Sequence, residues 1–132
     1  MSYQELVSTD TISESVPNKI NANFLAARHL NGAAKTSSFT AWSDDATGSP
    51  KDIYFVASAG GNVTVTLPDC TAGDAATGRV LTVFKTDSAN DVILDGDGSQ
   101  TINGATTVTM SSQYNYRTIV SNGTEWFVIS SS

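Results

Sequence analysis

The chain has 132 residues, a net charge of −6 and a single cysteine, which allows one domain plus a leader and excludes an internal disulfide. Seven basic residues against thirteen acidic ones form no patch able to neutralise phosphates, so nucleic acid is excluded as a partner and acidic membrane surfaces are disfavoured. Hydrophobic residues make up 39% and Ser plus Thr number 34, a composition that folds and that favours strands and turns over helices.

The first residues, Met1-Ser2-Tyr3-Gln4-Glu5, have no basic start and no apolar segment behind them, so no signal peptide is read here. No apolar run approaches the ~20 residues of a membrane span. Residues 1–14 are polar and are expected to be extended. A helix start follows, with Ser15 as N-cap and Pro17 in the first turn. Val16, Ile20, Phe24, Ala27 and Leu30 then fall on one stripe of a helix that Asn31-Gly32 stops. A helix of this length is marginal alone in water, so the stripe must pack on its own β domain, on another protein or on copies of itself.

Residues 32–38 are small and polar and read as a linker, which places a leader at 1–35 and a β domain at 36–132. Strands are expected at Phe39–Trp42, Asp52–Ala57, Asn62–Leu67, Arg79–Thr86 and Val92–Leu94, with the stretch 79–86 apolar enough for both of its faces to be covered. Two Asn-Gly pairs mark hairpins. Asn103-Gly104 lies between residues 100–102 and 107–110, and Asn122-Gly123 between 116–121 and 124–129. Both central residues of a type I′ turn need positive φ, which Asn and Gly tolerate best. Eight or nine short strands with frequent turn signals predict a mainly β chain, an antiparallel β-sandwich of jelly-roll-like form with a short N-terminal helix.

Residues that could carry chemistry are few. Asp95-Gly96-Asp97-Gly98 begins like a calcium loop, but Ser99 and Thr106 stand where the next ligands belong, so no metal is assigned and the stretch reads as a tight turn. Cys70 has no histidine near it in sequence, since His29, the only one, sits in the leader; it reads as a small buried residue beside a turn. Nearly all the acids of the β part are Asp residues in predicted turns rather than a carboxylate pair across a cleft. No Gly-Lys-Ser/Thr phosphate loop is present, and no cofactor is assigned. Trp42, Tyr114 and Tyr116 form a candidate sugar-contacting set, weighed against ordinary cross-strand packing.

The stretch Asp10-Thr11, followed by Lys19-Ile20-Asn21-Ala22-Asn23-Phe24, resembles a leader common among bacteriophage tail and head appendage proteins. The β half is similar to phage fibre and spike modules through Val65-Thr66-Leu67-Pro68, Leu81-Thr82-Val83-Phe84-Lys85, Thr101-Ile102-Asn103-Gly104-Ala105 and Ser121-Asn122-Gly123-Thr124-Glu125-Trp126-Phe127-Val128-Ile129. The resemblance implies a non-enzymatic virion protein made in the host cytoplasm, most often a homotrimer. Its residues 1–30 would meet other virion proteins through Val16, Ile20, Phe24, Ala27 and Leu30. Its β domain would project outward, with a host surface glycan as the ligand to consider. The alternative is a small carbohydrate-binding β module.

Overall fold

A computed structural model describes residues 31–42 and 50–132. The expected N-terminal helix, with Val16, Ile20, Phe24, Ala27 and Leu30, lies outside the described residues. The described chain is mainly β. Its strands are β1 (Gly32–Lys35), β2 (Phe39–Thr40), β3 (Ile53–Val56), β4 (Val63–Thr66), β5 (Leu81–Lys85), β6 (Val92–Asp95), β7 (Thr107–Met110), β8 (Tyr116–Ser121) and β9 (Trp126–Ser131), with one short helix, α1 (Gly73–Ala76). They form a five-stranded sheet in the order β1-β3-β5-β8-β9 and a four-stranded sheet in the order β2-β4-β6-β7.

Odd and even strands alternate between the sheets up to β6. Within each sheet the neighbours β1, β3, β5 and β2, β4, β6 run parallel. The chain therefore winds, leaving one strand in each sheet per turn. Ile53 faces Thr82 in one sheet and Val63 faces Val92 in the other, so from β3 to β5 and from β4 to β6 both sheets advance by the same 29 residues, whereas Gly32 faces Ile53 and Phe39 faces Val65 in the turn before, steps of 21 and 26. Side chains keep the same step: Ser58 bonds to Asp87 and Asn62 to Asp91, each 29 residues apart. The winding then reverses. β7 folds back antiparallel on β6, β8 adds antiparallel to β5, and β9 antiparallel to β8.

The antiparallel, jelly-roll-like expectation is thus corrected to mixed sheets. The turn signals are real, but most mark crossings between sheets rather than hairpins within one. Residues 57–62, with Gly60 and Gly61, carry the chain from β3 in one sheet to β4 in the other. The expected linker is corrected as well: residues 32–35 pair with β3 as strand β1, and the compact β unit begins at Asn31. Small side chains suit this edge, since a Cβ on Gly32 would press on the Ile53 side chain at 3.2 Å. Residues 69–78 contain α1, whose Ala75 is buried.

The period of two sorts each strand into an inner and an outer row. Tyr54, Val56, Leu81, Val83 and Ile119 point inward from one sheet, and Val63, Val65, Val92, Leu94 and Met110 from the other, into one shared core. Phe39 of β2 meets Tyr54 of β3 across it, with ring centroids 4.7 Å apart. Ile102 and Trp126, both fully buried, bridge to each other and fill the end of that core.

The two Asn-Gly pairs behave differently. Asn103 and Gly104 have φ of 52° and 86°, as a type I′ turn requires, but only a single bridge, Ile102 to Ala105, forms across them. The run 107–110 pairs with β6 instead, because Ile102 is drawn into the core beside Trp126. At the second pair the hairpin forms, but its link is residues 122–125, closed by Ser121 opposite Trp126. Gly123 has φ of 96°, while Asn122 is not left-handed; its side-chain oxygen instead accepts from the Thr124 and Glu125 amides.

Leu94 is fully buried at the centre of the four-stranded sheet. Leu94→Ala should cost about 2–5 kcal/mol. Thr109→Ala, on the exposed face of the same sheet, should change stability by no more than about 0.5 kcal/mol. Urea unfolding of the two variants checks the assignment of inner and outer rows.

Candidate functional sites

Parallel strands bring equivalent chain ends to one place. β2, β4 and β6 all end at the same rim of the molecule, and there a cleft of about 410 Å3 opens. β2 delivers Ala41 and Trp42, β4 delivers Leu67, Pro68 and Asp69, and the turn after β6 delivers Asp97; α1 and Pro50 complete the lining. Trp42 is half-buried and has φ of 68°, a left-handed backbone that costs a bulky residue roughly 1–2 kcal/mol. Its backbone N–H donates to the Tyr54 hydroxyl at 2.8 Å and its indole N–H to the Lys51 carbonyl at 2.7 Å. The Arg79 guanidinium lies 5.7 Å from its ring, and the Trp126 ring meets it edge-on at 6.1 Å. Arg79 is itself fixed by Asp52 at 3.0 Å.

Asp69 is the best-anchored carboxylate of the cleft. Bonds from the Thr71 hydroxyl, the Gln100 amide and the Thr71 backbone N–H hold its carboxyl below the usual value. The beginning of a calcium loop at residues 95–98 is a turn here. Gly96 is obligatory at that point, because a Cβ would sit 2.1 Å from the Gln100 carbonyl oxygen. Asp95 projects from the outer row of β6 and Asp97 lies on the exposed turn. Among the described residues no three His, Cys, Asp or Glu side chains are grouped to hold a metal ion. Cys70 is buried beneath the cleft rim, where desolvation, with Asp69 nearby, pushes its thiol up. Its backbone is tied down by Gln100 and Ser121.

The opposite rim, where β3 and β5 end, holds a polar cluster that sequence reasoning missed. Lys85 is fully buried and donates to the Ser58 hydroxyl and to the Asp87 carboxylate, both at 2.8 Å. The Ser58 N–H donates to Asp87 at 2.8 Å, its hydroxyl lies beside the Asn90 carbonyl, and the Asn90 amide returns a bond to the Ser58 carbonyl at 2.8 Å. A serine oxygen beside a lysine nitrogen is the pairing a nucleophile needs. Here both are fully buried and the lysine is salt-bridged, so the group works as a fastener between successive turns of the winding. The signal was in β5 itself: Leu81 and Val83 point inward, so the period of two sends Lys85 inward after them.

Of the three candidate sugar contacts, Trp42 stands alone at the cleft rim. Tyr114 and Tyr116 lie toward the other rim. The Tyr114 N–H donates to the Lys85 carbonyl, its ring lies 6.2 Å from Phe84, and Tyr116 is paired with Phe84. Trp42 and the two tyrosines therefore do not form one patch. The tyrosines belong instead to a larger aromatic surface on the outer face of the five-stranded sheet, where Phe55 also meets Phe84 edge-on at 6.1 Å.

No protein-family model matches the sequence, and no curated protein does. No helix among the described residues is long and apolar enough to cross a membrane.

The Lys85 cluster makes a pH prediction. The bond from Lys85, reinforced by Ser58 and the Ala89 N–H, holds the Asp87 carboxyl down at about 2, against 3.8 ordinarily. A depressed carboxyl stabilises the fold fully above its unfolded value and loses that contribution as pH falls through its folded one. Asp87→Asn should therefore melt lower than the parent at neutral pH and lose less stability between about pH 4 and pH 2. Melting temperatures across that range decide it; equal acid sensitivity in the two proteins would contradict the assignment.

Proposed function

We propose that this chain is a non-enzymatic structural protein of a bacteriophage virion, a tail-fibre, adaptor or head-fibre component. Residues 1–30 anchor it to the particle, and the β unit projects outward as the head of a homotrimer. In this reading the two sheets with their shared core form a β-sandwich head. The carrying observation is the break at Asn31: the compact β unit starts there, directly after the stretch whose Lys19-Ile20-Asn21-Ala22-Asn23-Phe24 resembles phage appendage leaders. An attachment segment followed by a self-contained head is the organisation this function needs.

The chemistry of the described residues favours the same reading. Among the described residues that line the cleft there is no His, Cys, Ser or Lys. A glycoside-cleaving site needs one carboxyl pushed up to serve as acid. Asp69 and Asp87, the acids with a resolved shift, are both pushed down. A second reading, a carbohydrate-binding β module, is favoured by the cleft itself, where Trp42 and Asp69 stand among apolar walls. In that case the cleft would take a host surface glycan, and Trp42→Ala would abolish binding on a glycan array.

The anchoring reading is tested with the double variant Ile20→Asp, Phe24→Asp. It should be absent from purified particles while its β unit keeps the parent's far-ultraviolet spectrum and unfolding midpoint. Incorporation at the parent level would count against anchoring.

A further inference from the structure

We propose that the outer face of the five-stranded sheet is the surface on which a second copy of this chain packs. The inference rests on the self-associating reading above and names the face responsible. Two rows cross that face. Ala34, Phe55, Phe84 and Tyr116 are paired in line from β1 to β8, and beside them run Gly32, Ile53, Thr82, Thr118 and Ser130. Tyr114 extends the aromatic row against Phe84, and Phe127 stands outward on β9 opposite Val120.

The other sheet supplies an internal control. Its outer rows, built by the same alternation on the same winding, are Thr40, Thr66, Asp95 and Thr107 and then Thr64, Ile93 and Thr109. That is a surface made for water. Both sheets turn threonines outward, but the five-stranded sheet adds a row of aromatic rings that the other lacks. Large exposed apolar patches on a folded protein mark interaction sites.

Area and charge point to a copy of the same chain. Phe55, Tyr114 and Phe127 are 42%, 62% and 37% exposed. At ~150–250 Å2 for a whole aromatic side chain they present on the order of 300 Å2 of apolar surface, about two-thirds of the apolar part of the ~800 Å2 each partner gives to a standard interface. The outer rows of this sheet carry no charged side chain. The described acids lie elsewhere: Asp52, Asp69, Asp74, Asp87, Asp91, Asp97 and Glu125 in connections and α1, and Asp95 on the other sheet. Copies with a net charge of −6 repel one another, and an uncharged face lets them meet with their acidic connections held away from the contact.

The test is the solution mass of the full chain by light scattering at high micromolar concentration. Three double variants are compared with the parent: Phe55→Asp with Tyr114→Asp on the proposed face, Thr64→Asp with Thr109→Asp on the threonine face, and Ile20→Asp with Phe24→Asp in the leader. The parent and the threonine-face variant should have the mass of several chains. The aromatic-face variant should fall to the mass of one chain with its far-ultraviolet spectrum unchanged. Independently of any variant, a mixture of isotope-labelled and unlabelled parent chains should give intermolecular proton contacts from the Phe55, Phe84 and Tyr114 rings. An aromatic-face variant that keeps the parent's mass, or a labelled mixture without those ring contacts, would overturn the proposal. Assembly lost only in the leader variant would overturn it too while leaving the oligomeric reading intact. A parent with the mass of one chain would remove both.

Discussion

The constraint on which the rest of the structure depends is that the second turn of the winding, from β3 to β5 and from β4 to β6, advances both sheets by the same number of residues. Ile53 to Thr82 and Val63 to Val92 are equal steps, so strands β3 and β4 are laid under β5 and β6 as a unit. A one-residue slip of either sheet within this turn would send its inward side chains outward. The connections are held to the same step. Ser58 meets Asp87 and Asn62 meets Asp91, and Lys85 sits fully buried behind the first of these pairs. Burying an ammonium is costly unless it is paired and hydrogen-bonded, and Asp87 with Ser58 supplies both. A charged residue there specifies which turn lies on which, something an apolar contact would do less selectively.

From that winding come two rims and two outer faces, and they are chemically unlike. One rim opens into a cleft around Trp42 and Asp69. The other is closed by the Lys85 cluster. One outer face is threonine, and the other adds aromatic rings to threonine.

Much of this was legible in the residues. Alternation in Asn62–Leu67 gave the inner row Val63, Val65, Leu67, and all three are fully buried. The strand beginning near Arg79 was apolar on both faces, and Phe84 on its outer row proves to be the centre of the aromatic surface. Pairing was not legible. A period of two says which way a side chain points but not which strand lies beside it, so turn residues at 57–62 and 86–91 do not reveal that the chain crosses to the other sheet there. Turn chemistry was decisive at Asn103-Gly104 and overridden at Asn122-Gly123, where the Asn122 side chain bonds to the loop backbone and leaves its own φ negative. The 29-residue step leaves no repeat in the residues because the matched strands share geometry rather than sequence: Val56 is paired with Lys85, and Ile53 with Thr82.

The most direct test of the winding is the pattern of backbone proton contacts in solution. Parallel pairing predicts amide-to-α-proton contacts that climb together, from residues 53–56 onto 82–85 and from 63–66 onto 92–95, at one constant offset in both sheets. Contacts that instead run in opposite senses between those segments, as in hairpins, would contradict the account at its root.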